Sequence, residues 1–277
     1  MPNQTPVHGI LLLGGSGSRL RPAYTGNKHL IPIGGRPMAE YGLELLRRCE
    51  IESVTAVVRP EDSTYFQRLF TRTAPQIPIT YVVQPDPLGT ADALQRCARS
   101  VEHPFVATLW GDNLFEVAPR STVRRFLADP APAMITVAES TAPQHFSVVA
   151  VQSGRVTDII DKPAKPTANT VCAGLMLFDT DVLFRSLCEV RQNARGEREA
   201  MDAVRRIMHA GQLTFDHLNG RWFDAAVAPA FLREAELFAL RRGFNHSMPE
   251  HEETPSCTST TRPRPFGSTS TQPGVAS

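Results

Sequence analysis

Apolar positions along the chain fall into short runs broken by glycine, proline and charged residues. The run from His8 to Leu13 predicts a buried strand that empties into a glycine-rich loop. Apolar residues at helical spacing predict a helix over 37–49, with Pro37 in its first turn. The pattern then predicts a strand at Ser53–Val58, a helix at Asp62–Phe70, a strand at Ile79–Val83, a helix at Thr90–Arg99 and a strand at Pro104–Leu109. Short apolar strands separated by helices give an α/β chain with a mainly parallel sheet covered on both faces. Ligands in such sheets sit beyond the carboxyl ends of the strands. The glycine loop, residues 84–89 and Asp112 are therefore expected along one edge.

The second half changes character. Residues 146–151 and 155–160, joined by Ser153-Gly154, predict a β-hairpin, and residues 172–178 another strand. A helical stretch at 197–209, short strands at 212–218 and Trp222–Asp224, and a helix at 229–240 follow. This half is expected to be a β-rich lobe continuous with the first sheet. From about His246 the chain is rich in Ser, Thr and Pro and poor in aliphatic residues. Such a segment cannot bury enough apolar surface to offset its ordering entropy, so 245–277 is expected to be a disordered tail.

Composition narrows the class. A chain of 277 residues can bury a sizeable core. A net charge of +1 gives no footprint for nucleic acid or an anionic membrane. Five scattered cysteines without C-x-x-C pairs argue against a disulfide framework or a zinc site, and for reduced thiols in the cytoplasm. The N-terminus lacks an apolar signal-peptide core. No apolar stretch approaches the ~20 residues of a membrane helix.

The chemistry starts at Leu13. Gly14, Gly15 and Gly17 let backbone N–H groups approach phosphate oxygens, and Arg19 and Lys28 add positive charge beside them. A glycine-rich turn alone could serve a strand-to-helix connection. Here it comes with Arg19, Pro22, Lys28, Pro32 and Arg36-Pro37-Met38 at fixed offsets. Neither the G-x-x-x-x-G-K-[ST] loop nor a complete G-x-G-x-x-G is present, which argues against a P-loop ATPase and a dinucleotide dehydrogenase.

GGSGSRLRP…NKHLIPIGGRPM closely resembles the motif of the sugar-1-phosphate nucleotidylyltransferases, and most of all their glucose-1-phosphate thymidylyltransferase branch. The resemblance runs to about residue 240. It implies a Rossmann-like sheet flanked by helices with an inserted sugar-binding lobe. The nucleotide part would cover about 1–115 and the sugar-phosphate part about 116–244.

The resemblance also implies site residues. Arg19 would grip the β/γ-phosphates and Lys28 would stabilise the α-phosphate. Leu13 and the loop glycines would line the nucleotide site. Asp112, in Gly111-Asp112-Asn113, and Asp224, in Trp222-Phe223-Asp224, would hold Mg²⁺ together with phosphate oxygens and water. Taken alone, Asp112 also reads as a turn or cap residue. The family has Gly two places after the second aspartate, where this chain has Ala226.

Gln84, with an amide donor and an acceptor, and the Gly89 backbone would read the base. His29 stands where the family has a glutamine that contacts the base. Lys162 would hold the sugar phosphate, although a lysine before a proline also reads as a plain surface residue. Asp161 replaces the family's glutamate, Ser147 replaces a glycine, and Cys172 lies in a stretch lining the sugar pocket. Arg195-Gly196-Glu197-Arg198-Glu199 matches R-G-E-x-E, and equally fits a solvated helix start.

The implied partners are an NTP (dTTP first, UTP next) and a sugar or cyclitol phosphate, with no nucleic acid and no membrane. Oligomeric state is open, a homo-oligomer included. The competing reading is a non-catalytic sensor of NDP-sugars built on the same fold.

Overall fold

The carboxyl ends of four parallel strands form the edge on which everything else is mounted. A computed structural model describes residues 7–15, 17, 20, 24, 26–51, 53–225 and 229–241. The first half runs β1 (Val7–Leu12), β2 (Pro32–Ile33), β3 (Arg36–Pro37), α1 (Met38–Arg48), β4 (Ser53–Val58), α2 (Ser63–Thr73), β5 (Ile79–Val83), α3 (Thr90–Arg96), β6 (Phe105–Trp110) and β7 (Asn113–Phe115). The second half runs α4 (Arg120–Ala128), β8 (Ala133–Glu139), β9 (Ser147–Gln152), β10 (Arg155–Asp161), β11 (Thr170–Asp179), α5 (Thr180–Cys188), α6 (Ala200–His209), β12 (Leu213–His217), β13 (Trp222–Asp224) and α7 (Pro229–Arg241).

Nine strands form one sheet, in the order β10-β9-β11-β6-β1-β4-β5, with β8 paired to β11 and β12 to β8. The section β6-β1-β4-β5 is wholly parallel. Its central strand β1 is buried at all six positions, as an apolar run covered on both faces requires. Antiparallel pairing enters with β11, which joins the lobe to β6. The lobe is therefore continuous with the first sheet, as expected.

Helices cover both faces. Leu43 and Leu46 of α1, Phe66 and Phe70 of α2 and Phe126 of α4 pack with β1, β4 and β6 in one core. Ala91 and Leu94 of α3, Leu183 and Leu187 of α5 and Val204 and Ile207 of α6 form the core on the other face. Gly42 lets α1 lie close on β1, since a Cβ there would stand 2.9 Å from Leu11 Cδ1.

Several predicted elements are trimmed. The helix expected at Thr90–Arg99 ends at Arg96 and continues as a 3₁₀ turn, Cys97–Arg99. The one expected from 197 starts at Ala200, because Arg198 is taken up in backbone pairing with Leu88 and Ala91. Six elements fall outside the predicted pattern, namely β2, β3, β7, α4, β8 and α5. The expected tail lies outside the described residues, and the described residues all fall within the compact unit Met1–Asn245. Among the described residues no helix is long and apolar enough to cross a membrane.

At the amino end of the sheet His8 is buried on β1. Its Nδ1 lies 2.8 Å from Ser53 Oγ and its Nε2 2.8 Å from Thr55 Oγ1. Burial, and then the neighbouring His103, lower its pKa from 6.5 to about 4. The unfolded chain takes up this proton near pH 6.5 and the folded chain only near 4, so the unfolded state binds more protons between those values. Stability from this source is complete above 6.5 and is lost as pH falls toward 4. The Tm of the wild type should therefore fall more steeply between pH 7 and 4.5 than that of His8→Gln. Parallel Tm profiles for the two proteins would remove His8 as the source.

Candidate active site

Beyond the carboxyl ends of β1, β5 and β6 lies a cavity of about 550 Å³, which extends across to the lobe strands β9, β10 and β11. Gly14, Gly15 and Gly17 line its near wall. The structure gives these glycines reasons beyond phosphate access. A Cβ on Gly15 would stand 2.4 Å from Lys28 Cε, so the lysine side chain needs that gap. Gly17 has φ +65°, the left-handed region that favours glycine. Arg19 and Ala226 lie outside the described residues.

Lys28 and His29 are held by a short 3₁₀ turn, Lys28–Leu30, capped by Asn27. Asn27 is buried. Its Oδ1 accepts from His29 N at 2.9 Å, and its Nδ2 donates to Leu13 O at 2.9 Å and to Asp62 Oδ2 at 2.7 Å. Sequence reasoning missed Asn27. An Asn directly before K-H-L is the available signal, as a capping residue.

His29 Nδ1 faces two acceptors, Leu13 O at 3.0 Å and Asn27 Oδ1 at 2.9 Å, so its proton sits on Nδ1. Burial and the Lys28 charge lower its pKa to about 3, which makes the ring neutral. Leu13 is fully buried and its carbonyl serves Asn27 and His29. It supports the site from behind, between Leu12 and Gly14, which line the cavity.

Lys28 Nζ forms an ion pair with Asp112 Oδ2. Asp112 is only 4% exposed, and its Oδ1 accepts from Asn113 Nδ2 at 3.0 Å. Burial, the largest single influence, pushes its carboxyl up, but the Lys28 ammonium and the further charges and hydrogen bonds around it together hold it well below the usual carboxylate range. Asp224 is brought to the same wall by pairing of β13 with β7, where it stands opposite Asn113. Ala225 N donates to Asp112 O at 2.9 Å, and Trp222 Nε1 donates to Asn113 Oδ1 at 2.7 Å.

Gln84 differs from expectation. Its Nε2 donates to Gly89 O at 3.0 Å and to Asp92 Oδ2 at 2.9 Å, so both amide hydrogens are spent. Its carbonyl oxygen, turned toward Gly14, is what it offers to a ligand. Gly89 is fixed by packing. It has φ +96°, and a Cβ would stand 2.3 Å from Arg198 O. Ala91 N donates to Arg198 O at 2.8 Å and Arg198 N to Leu88 O at 2.7 Å, which ties the loop after β5 to the R-G-E-R-E segment. Thr90 Oγ1 donates to Glu199 Oε2 at 3.0 Å, and Arg195 pairs with both Glu197 and Glu199.

On the lobe side Ser147, Asp161, Lys162 and Cys172 all line the cavity. Ser147 and Asp161 are directly opposite across the β9–β10 ladder, and Ser147 Oγ donates to Asp161 Oδ1 at 2.8 Å. Lys162 Nζ donates to the other oxygen at 3.2 Å. The buried Cys172 thiol is pushed up to about 11 by burial. Trp222, Phe146, Asn193 and Arg205 complete this wall and were not singled out from sequence.

The arrangement can hold a phosphorylated ligand at each end and bring the two together between them. A buried carboxylate and a half-buried one on the same wall, both hard oxygen donors, suit Mg²⁺, which keeps several sites for phosphate oxygen and water. No group of three or more His, Cys, Asp or Glu among the described residues could hold a metal by itself. The donor set at Asp112 and Asp224 thus fits a cation shared with a ligand.

Comparison with known proteins agrees with this geometry. Residues 8–239 match the family model described as nucleotidyl transferase. A low-salt glycan biosynthesis nucleotidyltransferase, Agl11, from Haloferax volcanii is 32% identical over 84% of this chain, which spans 66% of that relative's length. A glucose-1-phosphate thymidylyltransferase from Neisseria meningitidis is 31% identical over 84% of this chain and 82% of its own. A crystal structure of a Bacillus anthracis protein assigned as a glucose-1-phosphate thymidylyltransferase, in complex with a sucrose, superposes with a TM-score of 0.77 at 30% identity. That match covers 84% of this chain and 95% of the other.

Asn27 is buried, so removing its side chain leaves His29 N without a partner and takes one of the two donors from Leu13 O. Asn27→Ala should lower unfolding stability by about 1–3 kcal/mol, the cost of stranding buried polar groups. Urea denaturation reads this directly, and a loss below about 0.5 kcal/mol would mean that water replaces the cap.

Proposed function

The chain belongs to the nucleotidyl transferase family and is an enzyme of that kind, and we propose that it joins the nucleotidyl group of dTTP to glucose 1-phosphate or a related sugar phosphate. UTP is the second nucleotide of choice. The acceptor's phosphate oxygen would attack the α-phosphorus, the Pα–O–Pβ bond would break, and pyrophosphate would leave. No strong base is needed, because the attacking group is already an oxyanion.

One observation carries the reading. The Lys28–Asp112 pair, the glycine loop and the Lys162 ammonium line a single cavity at the strand ends. Lys28 would stabilise charge on the α-phosphate and Lys162 would hold the acceptor phosphate. Mg²⁺, held by Asp112 and Asp224, would supply charge neutralisation of the triphosphate. The Gln84 carbonyl oxygen matches the N3–H of thymine or uracil, whereas the N3 of cytosine is itself an acceptor. The name of the meningococcal relative is the further reason for placing dTTP first.

A pyrophosphate-release screen over NTPs and sugar phosphates tests the reading. Pyrimidine nucleotides should outcompete ATP and GTP, and Asp112→Asn should lower kcat more than ~10²-fold, the size typical of losing a major electrostatic group. Near-normal turnover in that variant would remove Asp112 from the reaction.

The acceptor pocket carries a second prediction. Ser147 and Asp161, both departures from the family pattern, hydrogen-bond to each other. They act as one unit, so their substitutions should not be additive. Ser147→Gly with Asp161→Glu should raise kcat/KM for glucose 1-phosphate, and each single change should do less. A slower double variant would leave glucose 1-phosphate as the native acceptor.

A further inference from the structure

The buried ion pair of the cavity joins two groups that the proposed reaction needs apart. Asp112 would face a divalent cation and Lys28 the triphosphate, yet Lys28 Nζ rests on Asp112 Oδ2. The two partners are not equally fixed. Asp112 is clamped, because its Oδ1 accepts from Asn113, which is held in turn by Trp222. The Lys28 side chain is 20% exposed against 6% for Asp112. It runs through the gap that Gly15 leaves for its Cε, alongside the loop where phosphates would bind. Its ammonium already lies beside that loop, 3.2 Å from where a Cβ on Gly15 would stand, so leaving the carboxylate asks only the outer bonds of the side chain to turn.

We propose that Lys28 is the resident counter-ion of Asp112 and is exchanged for the divalent cation as the nucleotide enters. Lys28 keeps the buried carboxylate neutralised while the site waits, and it weakens capture of a metal that arrives alone. Once displaced, the same ammonium meets the negative charge that accompanies the metal. Cation and triphosphate then bind as one unit, and each alone binds poorly. The inference rests on the metal site proposed above for Asp112 and Asp224.

The test uses the full chain and two probes, Mn²⁺ alone followed by electron paramagnetic resonance, and pyrophosphate in EDTA followed by calorimetry. Lys28→Met should bind Mn²⁺ at least ~10-fold more tightly than the wild type, within the 5–150-fold span of ordinary coupling between sites. Adding Asp112→Asn should abolish that gain. Asp112→Asn alone should bind metal-free pyrophosphate more tightly, by a larger factor with Lys28 present than in the Lys28→Met background.

Equal Mn²⁺ affinity in wild type and Lys28→Met, with loss of affinity in Asp112→Asn, would overturn the exchange and leave the metal site standing. Unchanged Mn²⁺ affinity in Asp112→Asn in both backgrounds would overturn the metal site and the exchange with it. Lys28→Gln can still donate to the carboxylate, and it repeats the measurement if Lys28→Met does not fold.

Discussion

Strand β11 has to pair with strands from both halves of the chain, and an unbroken ladder could not do so here. Its carboxyl half lies against β6 and β8, while Val171, nearer its start, pairs with β9. Between the two the register with β8 shifts from Cys172 to Met176. Gly174 sits in that shift with φ +79°, and Asn113 Oδ1 lies 2.3 Å from where its Cβ would be. The strand bends around the residue that clamps Asp112. Continuity of the sheet and placement of the carboxylate are thus one problem with one solution, and only glycine can stand at the joint.

The electrostatics of the site follow from that placement. Asp112 is buried where an isolated carboxylate would be costly, so it needs a cation within reach. Lys28 meets the need from a turn fixed by Asn27, whose own bonds reach back to β1 and across to Asp62. Arg59 pairs with Asp62 and closes the chain of contacts. Breaking such a buried pair on one side typically costs about 3–5 kcal/mol. The pair to which the proposed reaction assigns the central charges therefore also secures the walls of the pocket.

Much of this was legible in the order of residues. Ser53–Val58 reads as a strand because a covered parallel strand is a bare apolar run between turn residues. The edge position of the glycine loop, Gln84 and Asp112 followed from strand polarity alone. The missed elements lack such contrast. Strand β8 lies inside a Pro- and Ala-rich stretch, and α4 carries three arginines in nine residues around a narrow apolar face. The role of Asn27 depends on Leu13 and Asp62, partners 14 and 35 residues away, which no local pattern reports. The amide of Gln84 looked available because nothing in its neighbourhood announces that Gly89 and Asp92 consume it. Gly15 and Gly89 were read as room for a ligand, whereas Lys28 and Arg198 take up that room from within the protein.

The backbone bridge between Leu88-Gly89 and Arg198 bears on how such enzymes can be recombined. It joins the loop proposed to meet the base to the segment near the proposed acceptor site through two backbone hydrogen bonds and a glycine that admits no side chain. On the proposed assignment, donor choice and acceptor choice are not separable modules along the chain, although the bridge joins Thr90 and Ala200 across 110 residues. A chimaera that crosses over between these segments inherits two mismatched halves of one joint. Breakpoints that keep both segments from a single parent preserve it, and a library of domain swaps among these proteins should be partitioned on that bridge.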